Sequence, residues 1–248
     1  MFDELGADQR SVSEVIGYVL VFGLVLTSVG LVTFSGLGSL EDARDSEQAN
    51  NAERAFDVIA DNMASIHDRN APSRSTEVDL PDSELYMGTE VRMTVEADGR
   101  TLADRRFEPI ELRLSDQRRL VYEGGAVFRE NADGGVVLRD PPILYNNDRV
   151  HIPIIQTYSP AAQSAGSTTV LVRGKATERE ALASDTTGSY DNLTVEVQSS
   201  RYDLWARTLS DQGFTCTTDE SAVRVSCRVE DPERVYVTAQ RIEVTLLL

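Results

Sequence analysis

The chain has 248 residues and a formal net charge of −17, from 41 acidic and 24 basic residues. Lys175 is its only lysine, so arginine carries almost all of the positive charge. A chain this acidic repels nucleic-acid phosphates and anionic lipid headgroups, which excludes nucleic-acid binding as a function. Its length and its 41% hydrophobic residues are sufficient for an ordinary globular body with its own core.

The acidic, lysine-poor composition is typical of a protein that must stay hydrated in concentrated salt. At molar salt the Debye length falls to about 3 Å, so repulsion among the carboxylates is largely screened. The alternative is an acidic surface protein from a GC-rich genome, in which codon usage replaces lysine by arginine. We favour adaptation to high salt.

An uncharged segment, Val15–Leu40, lies between Glu14 and Glu41 near the start of the chain. A helix of about 20 apolar residues crosses the hydrocarbon core of a bilayer. We therefore predict one transmembrane helix within residues 12–40, and no comparable segment follows it. A removed secretory signal is the alternative, but the leader Met1–Gln9 has no basic residue. The apolar segment is also about twice as long as that of a signal.

The next segment, residues 41–70, has the pattern of an amphipathic helix. Apolar or small residues recur at spacings of three and four, with charged residues between them: Ala49, Ala52, Phe56, Ile59, Met63 and Ile66. The helix should end near Asn70, because Pro72 disfavours helical backbone in the residue before it. We expect the apolar stripe to pack against the β body of the same chain, or against neighbouring helices in an assembly.

Beyond Pro72 the pattern changes to the alternation of β-strands. Val91–Ala97 alternates cleanly and runs into Asp98-Gly99, a strong signal for a hairpin turn. Further strands are predicted at Ile110–Leu114, Arg119–Tyr122, Ala126–Arg129, Val136–Leu138, Val150–Gln156, Thr168–Arg173, Leu193–Gln198, Ala222–Val229 and Val235–Leu247. The fold class is therefore α+β: a long N-terminal helix, first transmembrane and then amphipathic, followed by a mainly antiparallel β head (71–248) with one short helix.

That short helix is predicted at Tyr202–Gln212, with Gly213 as its C-terminal stop. Tyr202, Trp205 and Leu209 fall on one face at spacings of three and four. We expect this face to pack on a sheet formed by the last three strands, with Trp205 as its main anchor. The alternative is an exposed Trp205 that contacts a ligand or a partner.

The only cysteines, Cys216 and Cys227, stand at equal distances from a predicted hairpin turn near residues 220–223. Directly opposed strand positions bring Cα atoms to about 4.5–5.5 Å, within the range of a disulfide. We therefore predict a disulfide and an oxidising compartment, with two buried free thiols as the alternative. The only histidines, His67 and His151, do not complete a convincing zinc site with these cysteines.

Asn192 begins the one glycosylation sequon, Asn192-Leu193-Thr194, and is a candidate site of N-glycosylation. No nucleophile motif, glycine-rich phosphate loop or regular set of metal ligands is recognisable. We therefore expect no enzyme activity, no cofactor and no metal, and an anchored hydrolase is only a formal alternative.

The segment Arg10-Ser11-Val12-Ser13-Glu14-Val15-Ile16-Gly17 runs directly into the apolar helix. It resembles the N-terminus of archaeal type IV pilins and pilin-like proteins. In that family a prepilin peptidase removes a short polar leader after a basic and a small residue, and the apolar helix is kept. The resemblance implies that Arg10 is the basic residue and Ser11 the small one, although Gly or Ala is more usual there. The cut is then expected before Val12, with residues 1–11 as the leader.

The resemblance also gives the apolar helix a role in assembly, first as a membrane anchor and then in the centre of a filament. Val15-Ile16-Gly17 matches the family's opening of the helix. Gly17, Gly23 and Gly30 would allow close helix approach, or they reflect the ordinary glycine content of membrane helices. Glu14 stands where many archaeal members have proline. It would lie near the new amino terminus and could pair with it or with that of a neighbour.

Together these observations predict a pilin-like, membrane-anchored or filament-forming surface subunit whose extracellular head serves adhesion or surface contact. The expected location is the cell membrane, with a single span. The expected partners are the membrane, a prepilin peptidase, and other copies or other pilin-like subunits. The alternative is a monomeric single-pass surface protein that binds a partner and does not polymerise.

Overall fold

The structure is a computed structural model, and it describes residues 7–146, 149–161, 163–166, 168–185 and 190–248. The chain divides into two compact units, Met1–Asn50 and Asn51–Leu248. Helix α1 (Ala7–Arg69) contributes residues to both units, and helix α2 (Tyr202–Asp211) belongs to the second. We call the second unit the body.

Sixteen strands in the described residues form three sheets. Sheet A contains, in spatial order, β1 (Ser73–Asp79), β12 (Thr169–Asp185), β16 (Arg234–Leu247), β10 (Arg149–Tyr158) and β9 (Leu144–Asn146). Sheet B contains β11 (Ser164–Gly166), β2 (Glu84–Met87), β5 (Ile110–Ser115), β6 (Arg118–Glu123), β7 (Ala126–Asn131) and β8 (Gly134–Arg139). Sheet C contains β14 (Thr215–Asp219), β15 (Arg224–Glu230), β13 (Asn192–Gln198), β3 (Val91–Ala97) and β4 (Arg100–Phe107). Within the described residues, neighbouring strands pair antiparallel except for β10 and β16, which are parallel.

The prediction of an α+β chain with a mainly antiparallel body is confirmed. Strand β3 has the predicted bounds, and Asp98 and Gly99 both have positive φ, 49° and 74°, as a type I′ hairpin turn requires. Strands β4 and β14 are the partners implied by the two predicted hairpins. Four strands, β1, β2, β9 and β11, have no counterpart among the sequence predictions.

The last part of α1 buries one face against sheets A and B. Five side chains of the predicted stripe are at most 7% exposed: Ala52, Phe56, Ile59, Met63 and Ile66. They form, with the inner faces of these sheets, a cluster that we call the α1 core. Fully burying a Phe, Ile or Met side chain stabilises by about 1.5–3 kcal/mol. The helix ends at Arg69, and Asn70 has a left-handed φ of 56°, which agrees with the end predicted from Pro72.

A second cluster, which we call the α2 core, joins α2 to sheet C and to parts of β6, β7, β10 and β16. Leu204, Trp205 and Leu209 are the buried apolar residues that α2 contributes. Trp205 is fully buried and meets Phe128 edge to face at 5.9 Å between ring centroids. The prediction of a buried Trp205 is therefore confirmed, and the alternative of an exposed indole is wrong.

The predicted platform for α2 is wrong in one respect. The last three strands do not form one sheet, because β14 and β15 lie in sheet C whereas β16 lies in sheet A between β12 and β10. Helix α2 packs on β14 and β15 and reaches β8 of sheet B. The reason is the parallel pairing of β16 with β10, a long-range contact that removes β16 from its sequence neighbours.

The C-terminus of α2 is closed as predicted. Gly213 has a φ of 98°, a conformation that suits glycine because it has no side chain. Its N–H donates to the carbonyl of Ser210, and the N–H of Phe214 donates to that of Leu209, both at 3.0 Å. These two bonds satisfy carbonyls that the helix end leaves free. They also direct the chain into β14.

Candidate functional site

The most apolar part of α1, Val15–Phe34, contains 20 residues with a mean hydropathy of 2.4, and its side chains are not buried within the chain. The exposed fractions of Tyr18 and Leu24 are 72% and 70%. Such a helix is long and apolar enough to cross a membrane once, as an anchor or a signal sequence does. A helix that is hydrophobic on every side needs lipid or protein around it.

The glycines predicted to serve assembly lie on this exposed helix. A Cβ atom added at Gly17, Gly23 or Gly30 would have no heavy atom within 4 Å. Packing within the chain therefore gives no reason for glycine at these three positions. The helix surface around them is open for contact with another molecule.

The predicted processing residues lie at the start of α1. The backbone of Arg10, Ser11, Val12 and Glu14 is helical, and their side chains lie outside the described residues. Cleavage before Val12 and pairing of Glu14 with an amino terminus therefore stay predictions.

The predicted disulfide is present in the body. Cys216 of β14 lies directly opposite Cys227 of β15, with 2.05 Å between the two sulfur atoms. Strand β14 ends at Asp219 and β15 begins at Arg224, so the turn between them falls at the predicted position. The bond leaves neither sulfur free to bind a metal. Within the described residues, no group of three or more His, Cys, Asp or Glu side chains could hold a metal ion.

The candidate glycosylation site, Asn192, is half-buried at the start of β13. Its side-chain amide donates to Oδ1 of Asp98 at 3.3 Å, and its backbone N–H donates to the same oxygen at 3.0 Å. Asp98 belongs to the turn between β3 and β4, so Asn192 helps to fix that turn. Modification of Asn192 stays a prediction, and it would have to replace the side-chain bond to Asp98.

The body also contains a buried ionic cluster that no local sequence pattern predicts. Arg201, directly before α2, binds three carboxylates of sheet B. Its guanidinium donates to Glu111 at 2.8 Å, to Glu123 at 2.9 Å and to Glu130 at 3.1 Å. The exposed fractions of the Arg201, Glu111 and Glu123 side chains are 5%, 7% and 0%. We call Arg201 and its three partners, Glu111, Glu123 and Glu130, the Arg201 cluster.

Further hydrogen bonds reach the carboxylates of the cluster. Oε1 of Glu123 accepts from the hydroxyl of Ser199 at 2.6 Å and from the indole N–H of Trp205 at 2.7 Å. The hydroxyl of Tyr86 donates to Glu111 at 2.9 Å. Because both oxygens of Glu123 are occupied, the arrangement is suited to fasten α2 to sheet B rather than to bind a substrate.

Burial and charge act in opposite directions on the pKa values of the cluster. Burial raises the pKa of the Glu123 carboxyl, although the bonds from Arg201, Ser199 and Trp205 favour its ionised form. Burial alone would lower the pKa of Arg201, but Glu123, Glu111 and Glu130 outweigh burial and raise it. Arg201 is therefore firmly charged, and Glu123 holds a proton more readily than an exposed glutamate.

Residues 10–245 match the sequence profile of a family of unknown function, DUF7289. The match extends over the apolar part of α1 and over the body. No curated protein and no solved structure matches the chain. Because the profile covers nearly the whole sequence, the chain belongs to the family DUF7289.

Proposed function

We propose that the chain is a pilin-like surface subunit. Its apolar helix holds it in the membrane before assembly and packs against the helices of other subunits in a filament. Its body is then presented outside the cell. The observation that carries the proposal is the unburied apolar segment Val15–Phe34, joined in one chain to a β-rich body.

The arrangement of the N-terminus supports a pilin-like protein over an ordinary secreted one. Arg10 and Ser11 stand before the apolar segment, where a prepilin peptidase would cut. Residues 1–9 are acidic and contain none of the basic residues of a secretory signal. Cleavage there keeps the helix, whereas signal cleavage removes it. The family match also includes the helix, since it begins at residue 10.

The helix surface supports packing between subunits. Gly23 and Gly30 are seven residues apart, close to two helical turns, and so lie near one face. Small residues let helices approach closely where lipid provides no hydrophobic driving force. The open space around both glycines within a single chain is compatible with such contacts.

The disulfide supports a body that lies outside the cell. Disulfides form and persist in oxidising compartments and are rare in the cytosol. Cys216 and Cys227 are the only cysteines of the chain, and they are bonded to each other. Protease added to intact cells should therefore remove the body, and a protected body would contradict this orientation.

Isolation of surface filaments tests the proposal against the monomeric alternative. Shearing intact cells should release the wild-type chain together with other pilin-like subunits. Gly23→Ile should stay in the membrane, because the added side chain prevents close helix approach, whereas Leu24→Ile, one position along, should be released like the wild type. A wild-type chain that is accessible on the cell surface but always stays in the membrane would favour the monomeric surface protein.

A further inference from the structure

Each of the three sheets ends in two edge strands, and such strands offer unpaired N–H and C=O groups to other chains. Proteins commonly limit this hazard by making edge strands very short or by covering them. Strands β9 and β11 have three residues each and are protected by their shortness. Strands β1, β4, β8 and β14 are longer and require another protection.

Side chains of the body bind the free edges of β1 and β4. On β1, the side-chain amide of Asn62 in α1 donates to the carbonyl of Ser75 at 3.2 Å. On β4, the side-chain amide of Gln156 in β10 donates to the carbonyl of Arg106 at 3.1 Å. On each of these two edges, one backbone carbonyl therefore has a hydrogen-bond donor within the chain.

Helix α2 contacts β8 at Gly135. Arg207 donates to the carbonyl of Gly135 at 3.3 Å. Cδ1 of Leu204 lies only 2.7 Å from the position that a Cβ atom on Gly135 would take, so glycine permits this close approach. Helix α2 therefore binds one carbonyl of β8 and packs closely against the strand at Gly135.

The edge of β14 differs from these three. The Cα atoms of Cys216 and Cys227 are 4.0 Å apart, the short spacing of a pair that exchanges no backbone hydrogen bonds. The N–H and C=O groups of Cys216, and by alternation those of Thr218, therefore point away from β15. Within the described part of the chain, no group binds them.

The same edge has few residues that discourage pairing: its one charged residue, Asp219, lies at the end of β14 and is paired with Arg224 at 3.3 Å. Residues 213–218, Gly-Phe-Thr-Cys-Thr-Thr, contain no charge and no proline, although the chain as a whole has a net charge of −17. The disulfide holds β14 on β15, so the edge is ordered before any partner arrives. This edge lets a second acidic copy approach without placing carboxylates face to face.

We propose that β14 pairs antiparallel with β14 of a second copy about a two-fold axis that passes between the two Thr217 residues. In this register Cys216 lies opposite Thr218 of the second copy, so each copy uses both free N–H and both free C=O groups. Thr217 meets its own equivalent, a favourable cross-strand pair, and Thr215 meets Asp219 of the second copy. The surface is therefore complementary to itself, as a two-fold contact requires.

The contact is tested with the full-length protein in detergent at high salt. Sedimentation over a range of concentrations should show a monomer–dimer equilibrium. In hydrogen exchange with residue-level fragmentation, the amides of Cys216 and Thr218 should become more protected as concentration rises. A chain that stays monomeric at every concentration overturns the proposal.

Two matched pairs of variants separate this edge from association through α1. Thr217→Glu places like charges opposite each other and should weaken dimerisation by about tenfold or more, whereas Thr217→Gln should not. Thr218→Pro removes an outward N–H and should have a similar effect, whereas Thr218→Ala should not. Trp205 fluorescence verifies that each variant is folded. Dimerisation of Thr217→Glu at the strength of Thr217→Gln would show that another surface associates. Leader processing does not enter this test, so its outcome is separate from that of the proposed function.

Discussion

The indole N–H of Trp205 donates a 2.7 Å hydrogen bond to Oε1 of Glu123, and both side chains are fully buried. The bond joins α2 to the end of β6 in sheet B. Arg201, one turn earlier along the chain, binds the other oxygen of the same carboxylate. Helix α2 is thus held by a polar link in addition to its apolar contacts, and we expect it to unfold together with sheet B.

Replacing Arg201 tests how strongly this link depends on a balanced charge. Arg201→Met keeps most of the side-chain volume but leaves Glu123 buried without its cation. Removing one partner of a buried ion pair costs about 3–5 kcal/mol of unfolding free energy, because the remaining charge is uncompensated. Denaturant unfolding of the full-length protein, followed by the fluorescence of its only tryptophan, measures the change.

The matched control adds Glu123→Gln to Arg201→Met. The amide removes the uncompensated charge, so the double variant should regain part of the lost stability. If Arg201→Met alone unfolds at the same denaturant concentration as the wild type, the cluster does not stabilise the body.

The stability of the protein should change with pH in the direction set by the raised pKa of Glu123. Burial raises its folded-state pKa above the ordinary value of 4.5, so the folded protein binds this proton more tightly than the unfolded chain. The stabilisation that protonated Glu123 contributes is complete below the ordinary glutamate pKa. It is lost as pH rises through the higher pKa that Glu123 has in the folded protein. The unfolding free energy of wild type minus that of Glu123→Gln should therefore fall as pH increases in this window.

Other shifted carboxyls do not interfere with this comparison. The hydrogen bond from Arg92 lowers the pKa of Asp104, and the hydroxyl of Ser221 lowers that of Asp219, both below 3.8. Above the ordinary glutamate pKa both groups are ionised in the folded and the unfolded protein. A free-energy difference that is constant or rises with pH would contradict the assignment to Glu123.

Trp205 should contribute more to stability than the disulfide. Trp205→Ala removes a fully buried ring and leaves Glu123 without one donor, at a cost of about 3–5 kcal/mol. Removing the bridge with Cys216→Ser and Cys227→Ser should cost roughly 3 kcal/mol, because the loop that it closes is short. Circular dichroism measures both, since the first variant has no tryptophan. A larger loss from the cysteine variant would reverse this order.

Added salt should stabilise the body. With a net charge of −17, unscreened repulsion among carboxylates grows as the Debye length increases beyond about 10 Å below 0.1 M salt. Exposed ion pairs such as Arg92–Asp104 are also screened, but each contributes little. The melting temperature should therefore rise towards molar potassium or sodium chloride. A flat or falling melting temperature would remove the interpretation as a salt-adapted protein.

Local signals in the sequence were sufficient for much of the secondary structure. Val91–Ala97 alternates with period two and forms β3 with those bounds. The two cysteines could pair only with each other, and the turn signals placed them opposite. The end of α1 followed from Pro72, whose effect on the preceding residue is steric and independent of the rest of the fold.

Long-range contacts were not predictable in the same way. Strand β12 continues beyond Arg173 to Asp185, but register shifts after Ala176 and Ala181 interrupt its alternation. The Arg201 cluster was missed because it uses three of 41 acidic residues, and nothing local marks them as buried. Their role arises from three strands and one loop that meet only in the folded body.

The most direct test of the proposed function is mass spectrometry of the mature N-terminus of the chain, produced in cells that contain a prepilin peptidase. A pilin-like subunit should begin at Val12, with residues 1–11 removed and the apolar helix retained. Arg10→Glu should block the cut and leave the leader in place. An intact Met1 in the wild-type chain, or a cut after Leu40 that removes the helix, would contradict the proposal.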